Sequence, residues 1–155
     1  MKYAKYTLVS VEHSKSEIEG MLIRYGASQF ISGWQHTKAA IGFSVDNRKI
    51  RFELPLPDKN DKSLYTTPTG REKRNLNDSV IFKIWEQSCR QRWRALALVI
   101  KAKLEAVECG ITTFEEEFYA HIVLPGGKTL YEQTRQAVQV AYDTGKNINL
   151  LSFDK

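Results

Sequence analysis

Hydrophobic residues recur three or four positions apart between Ile18 and Tyr25, and this spacing predicts a first helix. Ser14 is followed three residues later by a glutamate, the spacing of a capping box, so the helix is predicted to begin at Ser14. Gly26 is placed to end it. Upstream, residues 3–11 alternate weakly in hydrophobicity and predict either an edge strand or an extended arm.

The hydrophobic spacing changes to two after residue 28. Residues 30–34, 41–45 and 50–56 alternate between hydrophobic and polar side chains, and short polar turns separate the three stretches. This pattern predicts a three-stranded antiparallel meander with one buried face. Pro55 and Pro57 are predicted to end the sheet, because proline has no backbone N–H to donate to a neighbouring strand.

Helical spacing returns in the second half of the chain. A long helix, with room for one break, is predicted from Asp78 or Ser79 to about Glu108. Two shorter helices are predicted after Thr113 and Thr129, because each threonine has a glutamate three residues later. The predicted fold class is therefore α+β: a helix, a three-stranded antiparallel meander, a long helix and two short helices. We expect the first and the long helix to cover one face of the sheet.

Composition adds a domain prediction to this order of elements. A chain of 155 residues with 42% hydrophobic and 26% charged side chains predicts a single domain over residues 1–155 that folds without a disulfide or a metal. Residues 58–77 are rich in Lys, Asp, Asn, Thr, Pro and Gly, which favours a long, mobile, slightly basic loop. Residues 147–155 are apolar enough to favour packing of this tail on the domain.

The two cysteines point to a reducing compartment. Cys89 and Cys109 fall on the predicted long helix about 30 Å apart, which is too far for a disulfide. Residues 1–13 have no apolar leader-like run, and the longest apolar run, residues 95–100, is too short to span a bilayer. These features favour a cytoplasmic protein with reduced thiols and no membrane partner.

The net charge of +5 is unevenly distributed along the chain. Residues 83–103 contain six basic side chains and one acid, whereas residues 104–132 contain six acids and one base. The sequence therefore predicts a molecule with a basic side and an acidic side.

The predicted long helix has two distinct faces. Its apolar stripe consists of Ile81, Trp85, Cys89, Trp93, Leu96, Ile100, Leu104 and Val107. We interpret this stripe as core that packs on the sheet, not as a cofactor site. On the same wheel Lys83, Arg90, Arg94 and Lys101 fall within about 40° of one another, and we call these four residues the basic ridge.

The basic ridge is a candidate nucleic-acid surface. Together with Arg71, Lys73 and Arg74 of the loop, here called the loop bases, it could follow a phosphate backbone. The alternative is an ordinary solvated helix face, since Lys and Arg are also good helix formers. Trp34, Tyr65 or Trp93 could stack on unpaired bases if its ring is exposed beside the ridge. Trp93 is expected to be mostly buried, so Tyr65 on the loop is the preferred candidate.

Chemistry beyond binding has little support in the sequence. His13, His36 and His121 lie in three separate predicted elements, without cysteines or acids at the spacing of metal ligands. Neither cysteine has a histidine nearby, and the glycine pair at residues 126–127 is interpreted as a tight turn, not as a phosphate-binding loop. We expect no metal and no cofactor, and we place an enzymatic function third among the alternatives.

Several segments together resemble a group of bacteriophage and prophage proteins of no established function. The segments are residues 18–30 (IEGMLIRYGASQF), 40–43 (AIGF), 54–57 (LPLP), 90–118 (RQRWRALALVIKAKLEAVECGITTFEEEF) and 122–132 (IVLPGGKTLYE). The resemblance covers most of the chain. It implies a phage protein in the cytoplasm of a bacterial host and carries over no activity and no site residues.

Two functional hypotheses follow from these observations. The first is a non-enzymatic phage accessory protein that supports replication or recombination by binding nucleic acid through the basic ridge and the loop bases. The second is a counter-defence protein that binds and inhibits a bacterial immune protein or sequesters its nucleotide signal. The sequence leaves the oligomeric state and the choice between DNA and RNA open.

Overall fold

The computed structural model describes residues 3–147 and has the predicted α+β order. The helices are α1 (Val11–Tyr25), α2 (Asp78–Glu108), α3 (Phe114–Phe118) and α4 (Leu130–Thr144), and the strands are β1 (Gln29–Gln35), β2 (Lys38–Val45) and β3 (Arg48–Pro55). The predicted fold class is confirmed. The prediction that the tail packs on the domain falls on residues of which 148–155 lie outside the described range.

The sheet is an antiparallel meander in the order β1-β2-β3. Its inner face carries the hydrophobic side chains of the alternating pattern, such as Ile41 and Phe43 on β2, and both are buried. On the outer face, paired residues of neighbouring strands lie side by side. Ile31 of β1, Gly42 of β2 and Arg51 of β3 are one such row. Successive side chains of a strand point to opposite faces, so the sequence alternation separates core from surface here.

The core lies between the inner face of the sheet and helices α1, α2 and α3. Phe118 of α3 is fully buried and meets the rings of Phe43 and Phe52 edge to face, with centroids 5.8 and 6.1 Å away. Trp93 and Ile100 of α2 are buried in the same cluster. The part of the apolar stripe from Trp93 to Leu104 is therefore core, as predicted, whereas Ile81, Trp85 and Val107 are only partly buried.

The start of α1 differs from its prediction. The helix begins at Val11, and the hydroxyl of Ser10 accepts a hydrogen bond from the backbone N–H of His13 at 3.1 Å. Ser14, the predicted cap, lies inside the helix and is fully buried. The spacing of Ser14 to Glu17 imitates a capping box, but the cap requires extended backbone, which Ser10 has.

Residues 3–10 form an arm across α2 and not an edge strand. The side-chain amide of Gln87 donates hydrogen bonds to the backbone carbonyls of Lys5 and Thr7, at 3.3 and 2.9 Å. The segment therefore lies across α2 as an arm, but residues 3–6 are a turn and not extended. Helix α2 itself is continuous for 31 residues from its Asn77 cap.

Residues 58–77 contain more local structure than their composition predicts. Lys62–Tyr65 forms a short 3-10 helix, and the Asp61 carboxylate caps it by accepting from the backbone N–H of Ser63. The preceding segment is fastened to α2, because the indole N–H of Trp85 donates to the carbonyl of Pro57 at 2.8 Å. The loop therefore begins at a fixed point beside the first half of α2.

The last two helices begin at the predicted caps. Thr113 and Thr129 both complete a capping box with the glutamate three residues later. Helix α4 has no buried residue and lies mainly against the 3-10 turn Tyr119–His121. Its start is held near the sheet by Arg51, which donates to the carbonyl of Gly127 at 2.9 Å. Within residues 3–147, no helix is long and apolar enough to cross a membrane.

Candidate nucleic-acid interface

A groove of about 340 Å³ lies between the start of α1, the first half of α2 and the turn that joins β1 to β2. We call it the aromatic groove. Its apolar lining is Trp34, Leu56, Phe82, Trp85, Cys89 and Trp93, and its polar lining includes Glu12, Lys15, His36, Glu86 and Arg90. Large aromatic surfaces beside cations are what a site for unpaired bases needs, since bases stack on rings and phosphates pair with cations.

Trp34 is the exposed ring of this groove. It lies at the end of β1, opposite Ala39 of β2, and 75% of its surface is accessible. By alternation it belongs to the helix-covered face of the sheet, but the strand extends past the part that the helices cover. A large apolar ring in this position is available for contact with a ligand.

Lysine side chains lie over two other rings of the groove. The ammonium of Lys15 lies 4.8 Å from the ring centroid of Trp93, and that of Lys59 lies 4.3 Å from the ring centroid of Trp85. These cation–π contacts place two positive charges at the edge of the groove. Trp93 is only 3% exposed, which confirms the expectation that this ring is buried.

Arg90 is the ridge residue that reaches the groove. Its guanidinium donates to the side-chain carbonyl of Gln87 at 2.7 and 3.0 Å and lies 3.5 Å from the Glu86 carboxylate. Gln87 in turn holds the N-terminal arm, so the orientation of Arg90 is fixed by a chain of hydrogen bonds. A guanidinium held in place in this way loses little conformational freedom when it binds a phosphate.

The rest of the basic ridge does not form one continuous cationic row. Arg94 forms a half-buried ion pair with Glu17 of α1. Lys101 is exposed but lies in a groove that also contains Glu105 and Glu108. Lys83 is exposed near the start of α2, with no salt bridge to any residue that the structure describes. The ridge therefore contributes mainly Lys83 and Arg90 at the end of α2 that carries the aromatic groove.

The loop bases are exposed, and the predicted stacking residue is not. Arg71, Lys73 and Arg74 all lie on the surface, and the ammonium of Lys73 donates to the carbonyl of Leu64 at 3.2 Å. Tyr65 is 8% exposed, and its hydroxyl donates to the carbonyl of Lys59 at 2.7 Å. The expectation that Tyr65 offers a free ring is wrong, because this ring is the apolar anchor of the loop.

Most of the acids of residues 104–132, the predicted acidic side, make contacts within the molecule. Three of its glutamates pair with cations: Glu115 with Arg48, Glu117 with Lys103 and Glu132 with Arg51, at 2.8, 3.1 and 2.7 Å. A fourth, Glu116, accepts from the backbone N–H of Thr113 in the capping box, and this lowers its pKa. These contacts account for four of the six acids without a binding partner.

Both cysteines and His121 have shifted pKa values that their structural surroundings explain. Burial raises the pKa of the Cys89 thiol, and a hydrogen bond to the Glu105 carboxylate raises that of Cys109, so both thiols stay protonated and weakly nucleophilic. Burial and then Lys103 lower the pKa of His121, which stacks on a phenylalanine of the core. No group of three His, Cys, Asp or Glu side chains among residues 3–147 is arranged to hold a metal.

Neither a family model, nor a curated protein, nor a solved structure matches this chain. The likeness to phage proteins therefore remains a prediction from the sequence. The groove must be interpreted from its own geometry.

Sequence reasoning missed part of the aromatic groove. Lys15 and Lys59 are set in place by tertiary contacts, and no local pattern indicates that their ammonium groups lie on tryptophan rings. Phe82 shares the wheel angle of Ile100 in the apolar stripe of α2, yet 48% of its surface is exposed because it lies near the start of the helix. Trp34 did carry a signal, since a tryptophan one residue before a polar turn lies at the end of its strand.

Proposed function

We propose that this protein is a non-enzymatic accessory protein that binds unpaired nucleic acid in the aromatic groove. The observation that carries the proposal is the exposed ring of Trp34 on a groove that also contains Arg90. A base stacked on a protein ring contributes about 1–3 kcal/mol of binding free energy. Single strands expose the faces of their bases, whereas a duplex hides them between neighbouring base pairs.

The cations around the groove are suited to the phosphates on either side of a stacked base. Lys15 lies on the α1 side, while Arg90 and Lys83 lie on α2. The loop bases precede α2 in sequence and add three exposed positive charges before its first turn. Sequence-independent binding needs only such a set of cations within reach of the backbone. Arg94 is not part of this set, because Glu17 already neutralises it.

A titration of labelled oligonucleotides with the full chain tests this function. Single- and double-stranded DNA and RNA of equal length would be compared by fluorescence anisotropy at about 50 and 200 mM salt. The proposal predicts tighter binding of single strands and weaker binding at the higher salt concentration, since phosphate contacts release counterions. Absence of binding to any oligonucleotide at low salt would reject it.

The dimensions of the groove favour one alternative. A concave site of about 340 Å³ is at the lower end of the range for small-molecule pockets and can hold one nucleotide. The protein would then act in counter-defence by sequestering a nucleotide signal of a bacterial immune system. Calorimetric titration with mono-, di- and cyclic nucleotides separates the two functions. Saturable binding of free nucleotides, without binding of longer single strands, would favour sequestration.

A further inference from the structure

The two edges of the sheet are protected to different degrees. Strand β3 is rich in charged side chains and ends in Pro55, and its Lys49 carbonyl accepts a hydrogen bond from the backbone N–H of Val123 at 2.7 Å. Strand β1, with the sequence QFISGWQ, has no charge and no proline, and among residues 3–147 its strand partner is β2. An edge strand usually carries such protective features, because its outward backbone groups can bind another strand. The edge of β1 is therefore suited to pairing.

The hydrogen-bond pattern of the sheet determines which backbone groups of β1 point outward. Antiparallel strands bond to each other through every second residue. The N–H of Leu56 donates to the carbonyl of Thr37 at 2.7 Å, so the odd-numbered residues of β2 bond to β3 and its even-numbered residues bond to β1. The register of the two strands then assigns the odd-numbered residues of β1 to β2. Phe30, Ser32 and Trp34 therefore present their N–H and C=O groups to the outer edge.

The order of residues in β1 is nearly symmetric about Ser32. Each end is a glutamine, the next position inward is an aromatic ring, and Ile31 and Gly33 flank the centre. In an antiparallel pair of two β1 strands centred on Ser32, glutamine lies opposite glutamine and Phe30 lies opposite Trp34. The residues with outward backbone groups then pair with one another, which is the requirement for an antiparallel ladder. The strand is thus complementary to a second copy of itself.

We infer that β1 pairs antiparallel with β1 of a second copy of this chain, around a two-fold axis at Ser32. The two three-stranded sheets then form one continuous sheet. Each pair of residues with outward backbone groups exchanges two main-chain hydrogen bonds, which gives about six for the whole contact. Because the same strand serves both copies, the dimer is closed and adds no further copies.

The side chains of β1 fit this arrangement. Ile31 is 70% exposed and comes to lie opposite Gly33 of the other copy, where a built Cβ has open space. Gly33 has no positive φ, so the backbone does not require a glycine there, and its missing side chain leaves room for Ile31. Aromatic pairs such as Phe30 and Trp34 are favourable across strands. A side chain near the axis meets its own copy, so the absence of charge in β1 avoids repulsion.

The size of the contact predicts a weak dimer. Protein interfaces make about one hydrogen bond per 100–200 Å², so about six bonds correspond to about 600–1,200 Å² in total. Stable complexes begin near the upper end of this range, and dimers are therefore expected at micromolar and higher concentrations. The inference does not depend on nucleic-acid binding and can fail while that proposal stands. Trp34 belongs to both surfaces, so the variants that test the dimer leave it unchanged.

Sedimentation velocity of the full chain without nucleic acid, between about 1 and 300 µM, tests the dimer. The dimer fraction of the wild-type protein is expected to rise within this range. Ser32→Lys places a charge where it meets its own copy and should weaken self-association at least about tenfold. Ser32 is exposed and its N–H points away from β2, so the melting temperature should be retained. Gln133→Lys adds the same charge on α4, beside β3, and should leave self-association unchanged.

A matched pair of double variants tests the register. Gln29 and Gln35 lie opposite each other only when the pairing is centred on Ser32, so Gln29→Lys with Gln35→Glu should strengthen the dimer, whereas Gln29→Lys with Gln35→Lys should weaken it. A monomer at every concentration would overturn the inference. So would a dimer that Ser32→Lys leaves intact, or equal self-association of the two double variants. Far-UV circular dichroism confirms that each variant is folded.

Discussion

Arg90 and Arg94 lie one turn apart on α2, yet their surroundings give them different capacities to bind a ligand. Arg94 faces α1 and is neutralised by Glu17 in a half-buried pair. Arg90 faces the aromatic groove, where an uncharged amide, that of Gln87, makes its closest contacts. A helical wheel places both on one basic ridge, but only contacts with other elements separate a structural charge from an available one.

This difference predicts opposite effects of the same substitution. Arg90→Gln removes a phosphate contact and should weaken binding of single-stranded DNA and reduce its salt dependence by about one counterion. Arg94→Gln should leave affinity within about twofold and instead destabilise the fold, because Glu17 loses its partner. Anisotropy titrations and urea unfolding of both variants measure the two effects. Equal losses of affinity would show that the ridge acts as one surface.

His121 gives the protein a defined response to mild acid. Its ring stacks on Phe52 with centroids 3.9 Å apart, and burial and the positive charge of Lys103 lower its pKa below 6.5. The unfolded chain therefore binds a proton at a pH where the folded protein does not. The contribution of His121 to stability is accordingly fully present above about pH 6.5 and falls as pH drops below that value.

The prediction is a lower melting temperature at pH 5.5 than at pH 7.5, and a smaller difference in His121→Phe, which keeps a ring on Phe52. The carboxylates with lowered pKa values, such as Glu132, lose their contribution only below about 4.5, so they do not affect this window. Thermal unfolding followed by circular dichroism measures both. An identical pH dependence in His121→Phe would assign the acid response to other groups.

At the scale of elements, the strongest local signals located helices and strands correctly. Alternation gave the three strands, and the caps at Thr113 and Thr129 gave the starts of α3 and α4. The start of α1 was misplaced, because the spacing of Ser14 to Glu17 matches a capping box although the hydroxyl of Ser10 makes the cap. Ser10 is followed three residues later by a histidine, so it has no capping-box spacing to indicate it.

The two serines provide a test of this cap. Ser10→Ala removes the hydroxyl that caps α1 and should lower the free energy of unfolding by about 1 kcal/mol. Ser14→Ala should be neutral or stabilising, because its buried hydroxyl has no hydrogen-bond partner among the described residues. Urea denaturation compares them directly. A larger loss for Ser14→Ala would restore the sequence-predicted start of the helix.

The loop and the groove were less predictable than the regular elements. Composition indicated that residues 58–77 are a loop, but it could not show that Tyr65 folds inward to bond the Lys59 carbonyl. Burial of one ring and exposure of Trp34 both follow from packing between distant segments. The residue types of the proposed binding site, aromatic rings beside cations, could thus be predicted from the sequence, whereas their arrangement could not.

At the scale of the whole molecule, the structure shows which of the charges behind the net charge of +5 are paired and which are exposed. Most acids of residues 104–132 are held in ion pairs or caps, while Lys83 and the loop bases remain exposed at the end of α2 that carries the aromatic groove. The acids of residues 104–132 are therefore mostly paired within the molecule, whereas Lys83 and the loop bases are exposed. The groove itself contains both signs of charge, since Glu12 and Glu86 line it together with Lys15 and Arg90.

The most direct test of this account is the affinity of Trp34→Ala for a single-stranded oligonucleotide. Loss of one stacked base, worth about 1–3 kcal/mol, predicts binding about 5- to 150-fold weaker than wild type, with an unchanged salt dependence. Tyr119→Ala, which removes another exposed ring on the turn before α4, should bind as the wild type does. Equal affinities of wild type and Trp34→Ala would contradict the assignment of the aromatic groove as the binding site.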